Sequence, residues 1–191
     1  MLDNLEKYDV VLGSNSPRRR ELLYDMGVKF RVESIAGIDE TYPDDLPVER
    51  IPVHIALAKA HGHPLKDNEL LITADTVVVL DEEVLGKPKG EADARRMLRA
   101  LSGRDHRVIS GVCISTTDRY VSFAETSIVH FADLTDDEID YYIEHYRPFD
   151  KAGAYGIQEW IGNIGITGII GDFYNVMGLP TSKLYLALKS F

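Results

Sequence analysis

Three consecutive arginines, Arg18, Arg19 and Arg20, follow Ser16 and Pro17 directly after an apolar run. A serine before a proline is typical of a helix start, where the serine caps free N–H groups and proline fits the first turn. Cations at this positive end of the helix dipole are unfavourable by roughly 0.3–1 kcal/mol each when exposed. The pattern therefore favours an anion site formed by backbone N–H groups and one or two arginines, with solvated side chains as the alternative.

Asp75 is the second residue that could do chemistry, because it interrupts the apolar segment 69–80, ELLITADTVVVL. A carboxylate surrounded by buried residues requires an ionic partner, a metal ion or protonation. We interpret Asp75 as a candidate functional acid. A structural acid at the end of a strand, bonded to the next turn, is the alternative.

An acidic loop near residue 40 supplies further carboxylates. Its acidic residues are Asp39, Glu40, Asp44 and Asp45. Such oxygen ligands suit Mg²⁺ or Mn²⁺, which bind proteins through one or two carboxylates together with substrate phosphates. For any single residue of this loop, a solvated side chain is the default interpretation.

Two lysines and one glycine-rich segment complete the candidates. Lys59 and Lys87 are surface lysines by default, but Lys87 precedes a proline and is therefore biased toward a stiff, extended backbone. Segment 150–160, DKAGAYGIQEW, places glycines beside Gln158, whose amide can both donate to and accept from a nucleobase. The single cysteine, Cys113, lies in a predicted strand and is interpreted as a small core residue.

Alternating strand-like and helix-like segments must position these residues, which predicts an α/β fold. The predicted strands are 8–14, 29–34, 69–80, 106–116 and 120–132. The predicted helices are 17–27, 52–62, 91–103, 134–146 and 180–191. Segment 69–80 is too apolar for an exposed strand and is predicted to be central. Segment 162–171, GNIGITGIIG, is predicted to be a glycine-rich hairpin or loop.

Composition restricts the classes of function. The chain of 191 residues, with 21 basic against 31 acidic residues and a net charge of -10, is expected to repel nucleic acid. It contains no apolar run approaching the ~18 residues of a membrane span, and the N-terminus does not have the pattern of a signal peptide. One cysteine cannot form an internal disulfide. We expect a cytoplasmic protein without membrane or stable nucleic-acid partners.

Three motifs together resemble the Maf family of nucleoside triphosphate pyrophosphatases, also called septum formation proteins. The motifs are SNSPRRRELL from residue 14, ADTVVVLDEEVLGKPKG and its continuation to residue 112, and DKAGAYGIQEW with VMGLP at 176–180. The resemblance covers nearly the whole chain and implies a single domain over 1–191. It implies an elongated, two-lobed α/β domain around a twisted mixed sheet with a central cleft, similar to inosine triphosphate pyrophosphatases.

The resemblance also implies a reaction, in which a nucleoside triphosphate and water give the monophosphate and pyrophosphate with Mg²⁺ or Mn²⁺. The implied catalytic residues are Asp75 as proton acceptor, Glu40, Lys59 and Lys87. The implied substrate-binding residues are Ser14, Arg18, Arg19, Thr76 and Gln158, and the implied metal ligands are Glu40 and Asp75. A carboxylate held by a metal is a poor base, so the two roles of Asp75 compete.

Three positions assign the chain to a branch of the family. Arg18, Thr76 and Gln158 match the branch that acts on dTTP and UTP, and modified pyrimidine nucleotides are further candidate substrates. Asn15 departs from the glycine or alanine of many relatives without altering the anion chemistry. The alternatives are 7-methyl-GTP or a deaminated purine triphosphate as substrate, or a nucleotide-binding regulator of cell division without catalysis. Family members are often dimers, so a homodimer is an expectation.

Overall fold

A mixed seven-stranded β-sheet runs through the computed structural model, which describes residues 2–191. The strands are β1 (Asp9–Leu12), β2 (Arg31–Val32), β3 (Glu69–Leu80), β4 (Glu83–Leu85), β5 (Asp105–Ser115), β6 (Tyr120–Phe131) and β7 (Ile166–Ile170). Their order is β2-β1-β3-β5-β6-β7, with β4 paired to β3. Strand β1 runs parallel to β2 and β3, whereas β4 pairs antiparallel with β3 and β7 with β6. The predicted α/β class and the central position of β3 are confirmed.

Seven helices connect and flank these strands within residues 2–191. They are α1 (Pro17–Asp25), α2 (Ile51–His61), α3 (Glu91–Leu101), α4 (Asp136–Tyr146), α5 (Trp160–Gly165), α6 (Phe173–Met177) and α7 (Thr181–Leu188). The Ser16 side chain caps α1 by accepting from the Arg19 N–H. Thr135 and Glu138 form a reciprocal capping box at the start of α4. Over the described residues, no helix has both the length and the apolar composition required to cross a membrane.

The glycine-rich segment 162–171 differs from its prediction. It contains the end of α5 and the whole of β7, which pairs with β6 rather than forming a hairpin of its own. Gly162 is required because a Cβ atom there would lie 1.7 Å from the Ile157 carbonyl oxygen. The prediction of a hairpin or loop from glycine spacing was therefore wrong, because the segment divides between a helix and a strand paired with β6.

The chain forms two compact units. The first comprises the chain up to Thr76 together with Ser110–Glu125 and Gly178–Phe191. Its core includes Cys113, which is buried, as predicted, in a cluster with small and branched residues of β1, α2 and β3. Burial raises the pKa of the Cys113 thiol to about 11, so this thiol is protonated at neutral pH.

The second unit comprises Val77–Ile109 and Thr126–Met177. Helix α3 buries the face that its periodicity predicts, formed by Ala94, Met97, Leu98 and Leu101. A polar pair lies inside this apolar core, where His106 Nε2 contacts Tyr155 Oη at 2.7 Å. Burial lowers the pKa of His106 to about 4, so the imidazole is neutral in the folded protein near pH 7.

Helix α2 lies directly against strand β5 in the first unit. A Cβ atom on Gly111 would come within 2.2 Å of the Pro52 carbonyl carbon and of the Val53 nitrogen. Both are backbone atoms, which cannot move aside as a flexible side chain can. Glycine at residue 111 therefore sets the distance at which α2, which carries Lys59, packs on the sheet.

Replacing this glycine tests that packing. Gly111→Ala should destabilise the protein by about 2 kcal/mol or more, since overpacking typically costs about 1–3 kcal/mol. The midpoint of thermal unfolding should fall by roughly 5 °C for a chain of this size. Gly86→Ala is the matched control, because a Cβ atom there meets nothing within 4 Å. Equal midpoints for the two variants would contradict the close approach of α2.

The buried imidazole makes stability depend on pH. The unfolded chain binds a proton at His106 below its ordinary pKa of 6.5, whereas the folded protein does so only near pH 4. Stability due to this group is therefore present above pH 6.5 and lost as the pH falls toward 4, amounting to about 2 kcal/mol between pH 7 and pH 5. Measured by urea unfolding, the free energy of unfolding of His106→Gln should change less between pH 7 and pH 5 than that of wild type. His145→Gln, on an exposed face of α4, should show the same pH dependence as wild type.

Candidate functional site

The ammonium group of Lys59 contacts two carboxylates in the first unit. Lys59 Nζ lies 2.9 Å from Asp75 Oδ1 and 3.0 Å from Glu40 Oε1. The Lys59 and Asp75 side chains are 15% and 17% exposed, whereas Glu40 is 57% exposed. The ion pair between Lys59 and Asp75 is therefore sheltered from solvent on most sides but remains accessible to a ligand.

Matching periodicities of β3 and α2 create this ion pair. Side chains two residues apart point to the same face of a strand, and residues three apart lie on the same side of a helix. The Thr73 hydroxyl donates to the Ala56 carbonyl oxygen at 2.7 Å, and Asp75 meets Lys59 one step further along both elements. Two successive contacts therefore fix the position of the Asp75 carboxylate against α2.

The loop that carries Glu40 is held by a hydrophobic anchor two residues earlier. The Ile38 side chain fills the space beside Gly62, where a Cβ atom would lie only 2.0 Å from Ile38 Cδ1. The Thr41 N–H donates to Asp39 Oδ1 at 2.9 Å, and this hydrogen bond holds the pKa of Asp39 below its usual value. A loop without helix or strand thus delivers Glu40 to the ammonium of Lys59.

Arg19 reaches the same part of β3 from helix α1. Its Nε donates to the Gly178 carbonyl oxygen at 2.9 Å, its Nη1 to the Ala74 carbonyl oxygen at 2.9 Å, and its Nη2 to Thr76 Oγ1 at 3.0 Å. Nη1 also approaches Ser14 Oγ at 3.4 Å. Nε and both Nη atoms of the guanidinium group therefore each donate to a protein oxygen.

The charge of Arg19 is partly desolvated. Burial lowers the pKa of its guanidinium group, the charges of Asp75 and Glu40 raise it, and the nearby charge of Arg18 lowers it. An arginine side chain remains protonated under such conditions. The site therefore contains two fixed cations, Arg19 and Lys59, close to two carboxylates.

The turn before α1 has the geometry that its sequence predicts. Ser14 Oγ accepts from the Ser16 N–H at 3.2 Å, and Ser16 in turn caps the helix. Arg18 is half-buried, whereas Arg20 is exposed, as expected for a side chain rotated further around the helix. The N–H groups of Ser16, Arg19 and Arg20 are bonded to serine oxygens of the same turn, so Ser14 and Arg18 remain the predicted anion-binding residues.

The Thr76 hydroxyl has several partners inside the first unit. It accepts from Arg19, lies 2.9 Å from Ser110 Oγ and lies 3.3 Å from the Gly178 carbonyl oxygen. Neither Ser110 nor Gly178 was identified from the sequence. Gly178 belongs to the VMGLP motif, but nothing local in that motif indicates a contact with an arginine 159 residues earlier.

Lys87 and Gln158 belong to the second unit. Lys87 lies on a bend after β4 with its side chain exposed. Gln158 lies in the turn before α5 and is also exposed. The structure thus brings together the predicted residues Ser14, Arg19, Glu40, Lys59, Asp75 and Thr76 in the first unit and places Lys87 and Gln158 in the other.

A polar network that the sequence did not reveal holds the turn of Gln158. Tyr142 Oη accepts from the Gly156 N–H at 3.0 Å and donates to the Glu159 carboxylate. Lys151, only 7% exposed, pairs with the same carboxylate at 3.0 Å. The Glu159 N–H donates to the Gly156 carbonyl oxygen at 3.0 Å and closes the turn. Residues on both sides of Gln158 are therefore fixed.

The carboxylates of Glu40 and Asp75 have the donor chemistry that Mg²⁺ or Mn²⁺ prefers. One oxygen of each carboxylate already contacts the Lys59 ammonium group. Among residues 2–191, no group of three or more acidic, histidine or cysteine side chains is arranged to hold a metal ion. A cation bound by this pair would therefore use their other oxygens and take its remaining ligands from substrate phosphates and water.

Comparison with solved structures identifies the fold. The chain is similar to a HAM1 protein from Coxiella burnetii, with a TM-score of 0.52 and 16% identity over 96% of this chain and 100% of that protein. At this identity the similarity concerns the fold alone. It agrees with the α/β architecture and the mixed sheet described above.

Comparison with characterised sequences identifies the family. A protein of Phocaeicola vulgatus named dTTP/UTP pyrophosphatase is 56% identical over 99% of both chains. A protein of the same name from Porphyromonas gingivalis is 54% identical over 100% of this chain and 98% of its own length. Another from Parabacteroides distasonis is 54% identical over 100% of both chains. Residues 9–191 match the family described as Maf-like protein. With a family match over nearly its whole length and full-length relatives above half identity, the chain belongs to the Maf family.

Proposed function

We propose that this protein is a nucleoside triphosphate pyrophosphatase that hydrolyses dTTP and UTP to the monophosphate and pyrophosphate. The observation that carries the proposal is the Lys59 ammonium group between Asp75 and Glu40, beside a helix start rich in cations. Full-length relatives named dTTP/UTP pyrophosphatase support the choice of substrate. Modified pyrimidine triphosphates are further candidates of the same chemical class.

Asp75 is proposed to act as the base. Water attacks the α-phosphorus, the new P–O bond forms as the α–β anhydride bond breaks, and pyrophosphate leaves with the bridging oxygen. The proton of the attacking water passes to the Asp75 carboxylate, which a general base supports by a factor of roughly 10²–10⁴ in rate. The hydrogen bond from Lys59 to Oδ1 at 2.9 Å orients this carboxylate and leaves its other oxygen for the water.

Fixed cations are proposed to stabilise the charge of the triphosphate. Lys59 is already held in place by its two carboxylates, so it requires little reorganisation as negative charge develops. Arg18 and the positive end of the α1 dipole supply further positive potential for phosphate oxygens. From the family resemblance, Lys87 is proposed to face phosphate and Gln158 to bind the edge of the pyrimidine.

Mg²⁺ or Mn²⁺ is proposed as the cofactor, held by Glu40 and Asp75 together with phosphate oxygens. When bound, such a cation neutralises phosphate charge and polarises the phosphoryl group. Asp75 then either binds the cation with one oxygen and the attacking water with the other, or acts only as a metal ligand or only as the base. Glu40, more exposed than Asp75, is the residue better placed to be a ligand without also serving as a base.

Pyrophosphate release from a panel of triphosphates tests the proposed function. The panel contains dTTP, UTP, dCTP, dATP, dGTP, 7-methyl-GTP and inosine triphosphate, each with Mg²⁺, with Mn²⁺ and with EDTA. We expect dTTP and UTP to be hydrolysed fastest and EDTA to abolish the activity. A preference for 7-methyl-GTP or inosine triphosphate would overturn the substrate assignment. Tight binding without hydrolysis of any nucleotide would instead support a regulator.

Removing the negative charge of Asp75 should abolish turnover. Asp75→Asn should lower kcat by about 10³-fold, because an amide cannot accept the proton of the water. Circular dichroism should show an unchanged fold, since the amide is similar in size to the carboxylate. Asp67→Asn, an exposed acid just before β3, is the control and should retain wild-type kcat. A rate for Asp75→Asn near that of wild type would exclude Asp75 as the base.

Changing Gln158 should alter base preference rather than phosphate affinity. In Gln158→Glu, the side chain loses its donor but keeps its acceptors, so a uracil or thymine edge loses one hydrogen bond. The ratio of kcat/KM for dTTP over dCTP should fall by about tenfold, since an unpaired polar group costs about 1–3 kcal/mol. Inhibition by inorganic pyrophosphate should be unchanged. Glu144→Gln, exposed on α4 of the same unit, should alter neither quantity.

A further inference from the structure

We propose that Arg19 is a positioning residue that holds the backbone on both sides of Asp75, and that it does not bind phosphate. The inference rests on the proposed function, since it concerns the base of that reaction. The reason lies in the acceptors of the guanidinium group: its two Nη atoms bond to Ala74 and to Thr76, the residues before and after Asp75.

The fork of Arg19 spans the Asp75 residue. Nη1 donates to the Ala74 carbonyl oxygen, which belongs to the peptide group leading into Asp75, and Nη2 donates to the hydroxyl of Thr76. Because successive side chains of a strand alternate, Thr76 points away from the face that carries Asp75. Arg19 therefore holds the backbone from one face of β3, while Lys59 holds the Asp75 carboxylate on the other.

The third anchor comes from Gly178. Its carbonyl oxygen accepts from Arg19 Nε at 2.9 Å and lies 3.3 Å from Thr76 Oγ1. Gly178 has a φ of +115°, which side chains of other residues rarely permit, so glycine is required to direct this carbonyl group. One guanidinium group thereby connects helix α1, strand β3 and the turn before α7 within the first unit.

These bonds leave little of Arg19 for a phosphate group. Arginine binds phosphate best when two parallel N–H groups of its fork face the anion. In this protein both fork nitrogens and Nε already donate to protein oxygens. A phosphate that displaced them would leave the Ala74 carbonyl oxygen without its donor inside the unit, and a buried polar group without a partner costs about 1–3 kcal/mol.

Lysine cannot reproduce this arrangement, although it preserves the charge. A single ammonium group has no planar fork and cannot bond at once to Ala74, Thr76 and Gly178 in the observed directions. Arg19→Lys and Arg19→Gln should therefore lower kcat to a similar extent. If Arg19 served as a countercharge for phosphate, Arg19→Lys should retain much of the activity that Arg19→Gln loses.

The experiment measures kcat and substrate affinity separately. For each variant, kcat is determined on the triphosphate that wild type cleaves fastest, and the dissociation constant is determined for its non-hydrolysable α,β-imido analogue. We expect both Arg19 variants to lower kcat by about 100-fold, the usual effect of misplacing a catalytic group by about 1 Å. The dissociation constants should stay within about threefold of wild type. Arg18→Gln, the comparison variant, should instead weaken binding of the analogue by tenfold or more.

Two substitutions of Thr76 test the proposal should the Arg19 variants not fold. Thr76→Ser retains the oxygen that accepts from Nη2, so its kcat should exceed that of Thr76→Val by about tenfold. Thr76→Val lacks that oxygen and should lower kcat by about tenfold, equally for dTTP, UTP and dCTP. A change only in the ratio of kcat/KM for dTTP over dCTP would instead assign Thr76 to base recognition. That result would overturn its proposed role as an acceptor that holds Arg19.

The possible failures are distinguishable. A tenfold or larger rise in the dissociation constant for both Arg19 variants, with kcat retained, would overturn the positioning role and leave the proposed function intact. Recovery of kcat in Arg19→Lys relative to Arg19→Gln would do the same. A wild-type protein that releases no pyrophosphate from any triphosphate would overturn the proposed function and this inference together.

Discussion

The ion pair between Lys59 and Asp75 organises the candidate site of the first unit, because it joins helix α2 to the central strand β3. Its geometry is fixed by neighbours that have no chemistry of their own. Thr73 bonds to α2 one step earlier, and Gly111 sets how closely the helix approaches β5. Glu40 then joins the same ammonium group from a loop that is anchored by the packing of Ile38 beside Gly62 and by the hydrogen bond from Thr41 to Asp39.

A local cluster of cations lies at the start of α1 although the chain as a whole carries a net charge of -10. A protein with such a surface repels long polyanions, whereas a local cluster of cations can still attract a small one. Arg19 and Lys59 hold β3 from its two faces, so the carboxylate of Asp75 is restrained in both its backbone and its side chain. Restraint of this kind favours catalysis because the reacting group is not reoriented during the reaction.

The sequence predicted what depends on local periodicity and capping. The bounds of β3, the Ser16 and Thr135 caps and the buried face of α3 follow from patterns within a few residues, and the structure confirms them. Contacts between distant segments could not be predicted in this way. The bond from Arg19 to Gly178 spans 159 residues, and the close approach of Gly111 to Pro52 and Val53 joins segments almost 60 residues apart. Family resemblance named the candidate residues but gave no information about which acceptors their side chains use.

The three arginines at the start of α1 therefore have three different environments rather than one shared role. Arg20 is exposed, Arg18 is half-buried, and Arg19 is bonded to the protein at each edge of its guanidinium group. Burial lowers the pKa of the Arg19 guanidinium group, and the nearby carboxylates of Asp75 and Glu40 oppose that shift. The number of arginines in a sequence motif is therefore a poor guide to the number of phosphate ligands. The acceptors of each guanidinium group show which part of the protein it holds, and for Arg19 two of those acceptors are the residues on both sides of Asp75.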